Sequence, residues 1–271
     1  MPKRGLGVEC YGIPGIGKTM WALQWPKPLY CFSIYETGFD DFEYMGKVPQ
    51  GCIGFNPETY ETLINLLNNI IRSDPKSRPA TVVIDTVSGF QQIFFNYLIR
   101  RDIPQTKSQS FEESEANFWA YYKGPRQEAP TFMPQFTSLL TSLLNLGIHV
   151  VLLGHRKGDT EENVSGADYK RAVIDMDEGI RNCLNKWAPN ILYMNLNTSI
   201  QTATKTSGYG QNTTILEGKA SSVADRIIYT NTNPQNDAKN KLGLPFIINM
   251  GSSPESAFAA FWEYVPQPYK E

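Results

Sequence analysis

The residues with the clearest chemistry are Gly12-Ile13-Pro14-Gly15-Ile16-Gly17-Lys18-Thr19-Met20, which fit the pattern GxxxxGK[ST] between an apolar run, Leu6 to Tyr11, and a short helical one. Glycines in such a loop let successive backbone N–H groups curl round phosphate oxygens, while the lysine reaches the β and γ phosphates and the threonine hydroxyl ligates Mg²⁺. A helix starting near Gly17 adds the positive end of its dipole to the same anion. A glycine-rich turn alone would not account for Lys18 and Thr19 at those offsets, so the stretch predicts binding of ATP with Mg²⁺. Without ligand, Lys18 is expected to face solvent.

Three more groups stand at the ends of apolar runs. Thr81-Val-Val-Ile-Asp85 is a strand ending in a carboxylate, the form that holds the Mg²⁺ water shell opposite a phosphate loop. The run Leu29 to Tyr35 ends at Glu36, and Ile148 to Leu153 ends at Gly154-His155-Arg156-Lys157. In open α/β sheets ligands sit at the carboxyl ends of the strands. His155 is a candidate to hydrogen-bond the γ-phosphate; the alternative is a capped surface histidine.

To position these groups the chain needs alternating strands and helices. Helical spacing is read after Asn56-Pro57-Glu58, with Tyr60, Leu63, Ile64, Leu67, Ile70 and Ile71 on one face. Further helices are read at Phe90 to Leu98, Met133 to Leu146 and Ile180 to Trp187, with a fifth strand at Ile191 to Leu196. Arg101 to Pro130 reads as irregular, with Phe118, Trp119 and Tyr122 either the buried face of a short helix, which is favoured, or a base-stacking platform. Gly158 to Gly179 reads as a mobile loop and Thr198 to Thr214 as a flexible hairpin or a disordered arm. Two late strands, Arg226 to Thr230 and Pro245 to Asn249, flank Asn236 to Lys241, and a last helix is capped by Ser253.

Composition fits an ordinary globular protein: 271 residues, 41% hydrophobic, 19% charged, net charge −2. No global basic surface exists to attract nucleic acid, so such contacts would be local. The expected organisation is a single domain over 1–271, with a core at about 5–196 and a β-rich extension with a helix at about 197–271. No membrane span or secretory segment is read, which predicts a cytoplasmic protein. The four cysteines show no metal spacing and are expected as small core residues.

The phosphate loop after the first strand, Glu36 after the second, Asp85 after the third and His155 after the fourth resemble the RecA-like P-loop ATPase core, a mostly parallel α/β sheet of about five strands with helices on both faces. The resemblance spans about Gly5 to Leu196. It implies that the fourth strand lies between the first and third, and that Glu36 activates the attacking water. The stretch Ala238-Lys239-Asn240-Lys241 before Gly243-Leu244-Pro245 looks most like bacteriophage RecA-like proteins, minimal recombinases or single-strand annealing proteins. That resemblance implies single-stranded DNA as partner, self-assembly into rings or filaments, contacts with phage replication or single-strand-binding proteins, and Lys239 or Lys241 reaching a neighbour's ATP. Lys123, Arg126, Arg156 and Lys157 are the candidate DNA contacts, although the stretch from Arg156 to Arg181 holds more acidic than basic residues. The alternative is a motor or loader acting on a replication or packaging protein without DNA contact. A small-molecule phosphotransferase ranks last, for want of an arginine-rich lid.

Overall fold

The computed structural model describes residues 4–101, 111–162, 166–206 and 214–270. β1 (Gly7–Gly12) is buried along its whole length, and its C-terminal end turns through the phosphate loop into α1 (Lys18–Ala22), only five residues long. β2 (Leu29–Ser33), α2 (Gly38–Tyr44), β3 (Cys52–Phe55) and α3 (Tyr60–Arg72) follow. Thr59 caps α3 through its hydroxyl, which accepts from the Thr62 N–H. β4 (Thr81–Asp85) leads into α4 (Val87–Arg101); in the stretch read as irregular, 102–110 lie outside the described residues, and α5 (Phe111–Trp119) is followed by a 3-10 turn (Ala120–Tyr122) and a π turn (Gly124–Glu128) that run into α6 (Ala129–Asn145).

β5 (His149–Glu161) runs past the expected strand end and pairs antiparallel with β6 (Tyr169–Ile174), so the predicted mobile loop from Gly158 is in large part a two-stranded ribbon. α7 (Glu178–Trp187) is capped by Asp177, which accepts from the Gly179 N–H. β7 (Asn190–Thr206) and β8 (Thr214–Tyr229) pair antiparallel as a long hairpin where a flexible hairpin or a disordered arm was expected near 198–214; 207–213 lie outside the described residues. β9 (Ile247–Gly251) and α8 (Pro254–Tyr264) close the chain, with Ser253 and Ser256 forming a capping box.

The strand order is β3-β2-β4-β5-β1-β7-β8-β9, with β6 off this path, paired to β5 and bridged through Ala172 to Asn236. Pairing is parallel from β3 through β7 and antiparallel across β7, β8 and β9. The nine strands among the described residues exceed the five core strands of the sequence reading. β5 lies between β1 and β4, the position that the resemblance implied for the fourth predicted strand.

Both faces of the central strands are covered, which is why they read as continuous apolar runs rather than alternating ones. On one face α3, α4, α6 and α7 bury Leu63, Leu67, Phe90, Phe94, Phe136 and Leu184. On the other, α1 and α8 bring Trp21, Trp25 and Phe261 together, with Trp21 and Trp25 edge to face at 5.6 Å and Trp21 and Phe261 at 5.3 Å. Each such fully buried large side chain contributes about 1.5–3 kcal/mol of transfer free energy. The cysteines are all free thiols, Cys10 and Cys31 buried inside strands.

Register then fixes the edge where chemistry can happen. Gly12 stands opposite His155, Asp85 opposite Leu153, and Ser33 opposite Asp85. The C-terminal tips of β1, β2 and β4, and the point where β5 leaves the main sheet, therefore share one edge.

Candidate active site

The phosphate loop is pinned from below. Ile16 is buried, and Ile13 and Met20 pack partly against the α1 and α8 cluster, so apolar side chains anchor the loop while its backbone turns outward. Two glycines are required by geometry. A side chain at Gly12 would put a Cβ 2.4 Å from the Met194 carbonyl oxygen, and Gly17, at the N-cap of α1, has φ +101°.

Lys18 does not face solvent as expected. It is 6% exposed, and its ammonium donates to the carbonyls of Gly12 at 3.2 Å and Ile13 at 3.0 Å. Burial lowers its pKa, opposed by the negative groups of Asp85 and Glu36. The loop's own carbonyl dipoles thus hold the lysine in place, from where it can exchange them for phosphate oxygens.

Beside it the Thr19 hydroxyl donates to Asp85 Oδ2 at 2.6 Å. Asp85 is 3% exposed; burial raises its pKa, and the Thr19 hydrogen bond and the Lys18 charge pull it back down. A hydroxyl and a carboxylate side by side are the hard oxygen donors that Mg²⁺ prefers, and Mg²⁺ bound by one or two protein oxygens keeps waters and phosphate oxygens as its other ligands. The residues therefore fit that ion, and Thr19 and Asp85 would hold it. Among the described residues no cluster of three or more His, Cys, Asp or Glu side chains could cage a metal by itself.

Glu36 and His155 meet across β2 and β5, with Nε2 of the histidine 2.7 Å from Glu36 Oε1. Each is about a third exposed, at 32% and 30%, and Glu36 also lines a cleft of about 400 Å³ with Tyr35, Thr86, Ser88, Gly89 and Gln92. A carboxylate held by an imidazole and open to a polar cleft can accept a proton from water. The histidine read as a possible γ-phosphate contact is here the partner of the carboxylate.

The other predicted residues divide. Arg126 and Lys157 come together in a cleft of about 520 Å³ with Tyr122 and Arg181, but Asp159, Asp177 and Glu178 line it too. Lys157 donates to the Met176 carbonyl, and Arg181 is held by Asp159 at 2.6 Å. Lys123 pairs with Glu128 at 3.5 Å, and Arg156 is exposed and hydrogen-bonded to Tyr193. Of the aromatic run, Phe118 is core, whereas Trp119 and Tyr122 are more than a third exposed and Tyr121 wholly so, so the buried-face reading holds for Phe118 alone. The Tyr122 hydroxyl donates to the Asp177 carboxylate.

Lys239 and Lys241 lie away from the phosphate-loop edge of their own chain. Lys239 bridges to Ile191, near the start of β7, and its ammonium donates to the carbonyls of Asn185 at 2.8 Å and Ala188 at 2.7 Å, the last turn of α7. Lys241 is exposed.

Two residues escaped the sequence reading. Glu9, inside the apolar run of β1, is fully buried, neither carboxylate oxygen is hydrogen-bonded among the described residues, and burial pushes its pKa up to about 8, helped by Asp237 and opposed by Lys239. Arg226, on β8, brings its guanidinium over Gly17. A charge breaking the run Leu6 to Tyr11 was a visible signal for Glu9; none existed for Arg226.

A family model described as the AAA domain matches residues 4–242, most of the chain and all of the elements just described up to β8. The chain belongs to the AAA domain family. No curated protein matches it. As an AAA domain it is a P-loop ATPase-type fold, and the matched span takes in the phosphate loop, Glu36, Asp85, His155 and Arg226 alike. No helix among the described residues is long and apolar enough to cross a membrane.

Proposed function

We propose that the chain is a Mg²⁺-dependent ATPase of RecA-like organisation, one domain over its length, that acts on single-stranded DNA in phage-type recombination or annealing. The observation that carries the ATPase reading is the meeting, at one sheet edge, of the Lys18 loop, the Thr19–Asp85 pair and the Glu36–His155 pair. Bound Mg²⁺ would neutralise charge on the phosphate oxygens. The chain's own part is to cradle the phosphates with loop N–H groups, hold Lys18 beside them, and use Glu36 as base. In that step a water oxygen bonds to the γ-phosphorus, its proton passes to Glu36, and the bond from phosphorus to the bridging oxygen breaks to leave ADP and inorganic phosphate. His155, hydrogen-bonded to Glu36, orients the carboxylate.

The DNA reading rests on the cleft that gathers Tyr122, Arg126 and Lys157 on the ribbon side of the same edge. Carboxylates in that cleft favour the second reading, a motor or loader acting on a protein. Fluorescence anisotropy with a labelled oligonucleotide, with and without a non-hydrolysable ATP analogue, separates the two. Binding that weakens steeply with salt supports DNA, and no binding at low salt leaves the protein partner. Assembly into rings or filaments goes with either reading, with the exposed Lys241 the candidate for a cation supplied to the neighbour's ATP. Mixing inactive Lys18→Ala subunits with Lys241→Ala subunits tests this: recovered turnover supports the shared site, and a fully active Lys241→Ala protein removes it.

A further inference from the structure

Arg226 carries a charge that the fold has placed without a partner among the described residues. Its Nη1 lies 2.8 Å from where a Cβ on Gly17 would stand, so the guanidinium rests directly on the phosphate loop. No hydrogen bond or ion pair to it occurs among the described residues, although it is only partly exposed. Holding an unpaired cation half out of water is unfavourable unless an anion shares the site, and a guanidinium is the side chain best matched to phosphate oxygens.

Its direction of approach is as informative as its distance. Arg226 pairs with Leu196 on β7, two residues beyond Met194, which stands opposite Gly12 on β1. Thr19–Asp85 and Glu36–His155 engage strands on the other side of β1, namely β4, β2 and β5. The loop is thus flanked by the hydrolytic groups on one side and by a single arginine on the other. A triphosphate whose γ end faces Asp85 and Glu36 would turn its nucleoside end toward β7 and β8.

We infer that Arg226 is a nucleotide-binding residue that grips the phosphates common to ADP and ATP, at the nucleoside end of the loop, from within the same chain. The inference rests on the ATP reading above and assigns Arg226 no part in breaking the terminal bond. A methyl group at Gly17 would displace the guanidinium from this position.

The test is direct titration of the full chain with ATP and with ADP by calorimetry, for wild type, Arg226→Ala and Arg226→Lys. Loss of one charge-assisted phosphate contact should weaken both nucleotides by the same factor, about 10- to 100-fold, with Arg226→Lys between the two. Unchanged affinities in Arg226→Ala, or a loss confined to ATP, would overturn the assignment, the latter by moving the contact to the γ-phosphate. Should Arg226→Ala fail to fold, as read by thermal melting, the equal-loss comparison is made with Arg226→Lys, which keeps the charge but loses the fork. A wild type that binds neither nucleotide would sink the ATP reading itself, a result distinct from any variant effect.

Discussion

Lys18 and Lys239 make the same contacts at opposite edges of one sheet. Each ammonium donates to two backbone carbonyls, Lys18 to Gly12 and Ile13 and Lys239 to Asn185 and Ala188. Burial lowers the pKa of both. Their surroundings separate them. The carbonyls that hold Lys18 belong to a loop whose glycines turn N–H groups toward an anion, with a carboxylate and a hydroxyl alongside. Those that hold Lys239 belong to the last turn of α7, where unpaired carbonyls collect and a cation caps them. A lysine's contacts alone do not distinguish a ligand-binding group from a structural one; the backbone that supplies the carbonyls does.

The sharpest way to break this comparison is at Lys18. Lys18→Ala should abolish ATP hydrolysis in a steady-state phosphate-release assay, and because the side chain is buried it should also lower the melting temperature. A variant that hydrolyses ATP at the wild-type rate would remove Lys18 from the site. Next in size is Glu36→Gln, where an amide replaces the base: kcat should fall by about 10²–10⁴-fold while ATP still binds. Retention of wild-type kcat would leave Glu36 as a partner of His155 and nothing more.

Glu9 lies along β1 between the two lysines, three residues before Gly12 and opposite Ile191, the bridge partner of Lys239. Its raised pKa of about 8 means that the folded chain keeps a proton which the unfolded chain, with the ordinary value of 4.5, has released. The stability that goes with this proton is fully present below pH about 4.5 and is lost as pH rises toward about 8. Glu9→Gln should flatten that dependence and stabilise the protein at pH 8 by a few kcal/mol, because every pH unit between the two values is worth about 1.4 kcal/mol. Denaturant melts across that range check it; parallel curves for the two proteins would mean that water or Lys239 already satisfies the carboxylate.

The smallest effect belongs to Lys239→Ala, which should cost about 1–2 kcal/mol through the lost cap and leave ATP affinity as in wild type. A large loss of turnover without loss of stability would reverse the comparison and give Lys239 the role its counterpart holds.

Much of the site is legible in the sequence because its signals are local. The offsets of Lys18 and Thr19 are set by the loop itself, and Asp85 and Glu36 follow short apolar runs of strand length. The parts that escape depend on pairing. β3 is four residues with an exposed isoleucine at its centre, too short and too mixed to stand out. β6 carries Lys170 and Arg171 on a ribbon that leaves the sheet, so its polar alternation looks like loop. Arg226 reaches Gly17 only because β8 folds back along β7, a contact between residues far apart in the chain that no spacing rule encodes. Lys239 reads as a turn residue because its bridge to Ile191 and its carbonyl partners come from distant chain.

Trp21 lies two residues after Thr19, on the helix that the phosphate loop opens, and its indole is sealed against Trp25 and Phe261. The protein therefore carries its own optical probe. A nucleotide that shifts α1 by a fraction of an ångström changes the packing round a fluorophore shielded from quenching by solvent, while Trp119, exposed on α5, supplies a quenchable background on another part of the molecule. Emission that resists iodide and changes with ADP would come from the Trp21 cluster, so occupancy of the loop can be followed in the unlabelled chain.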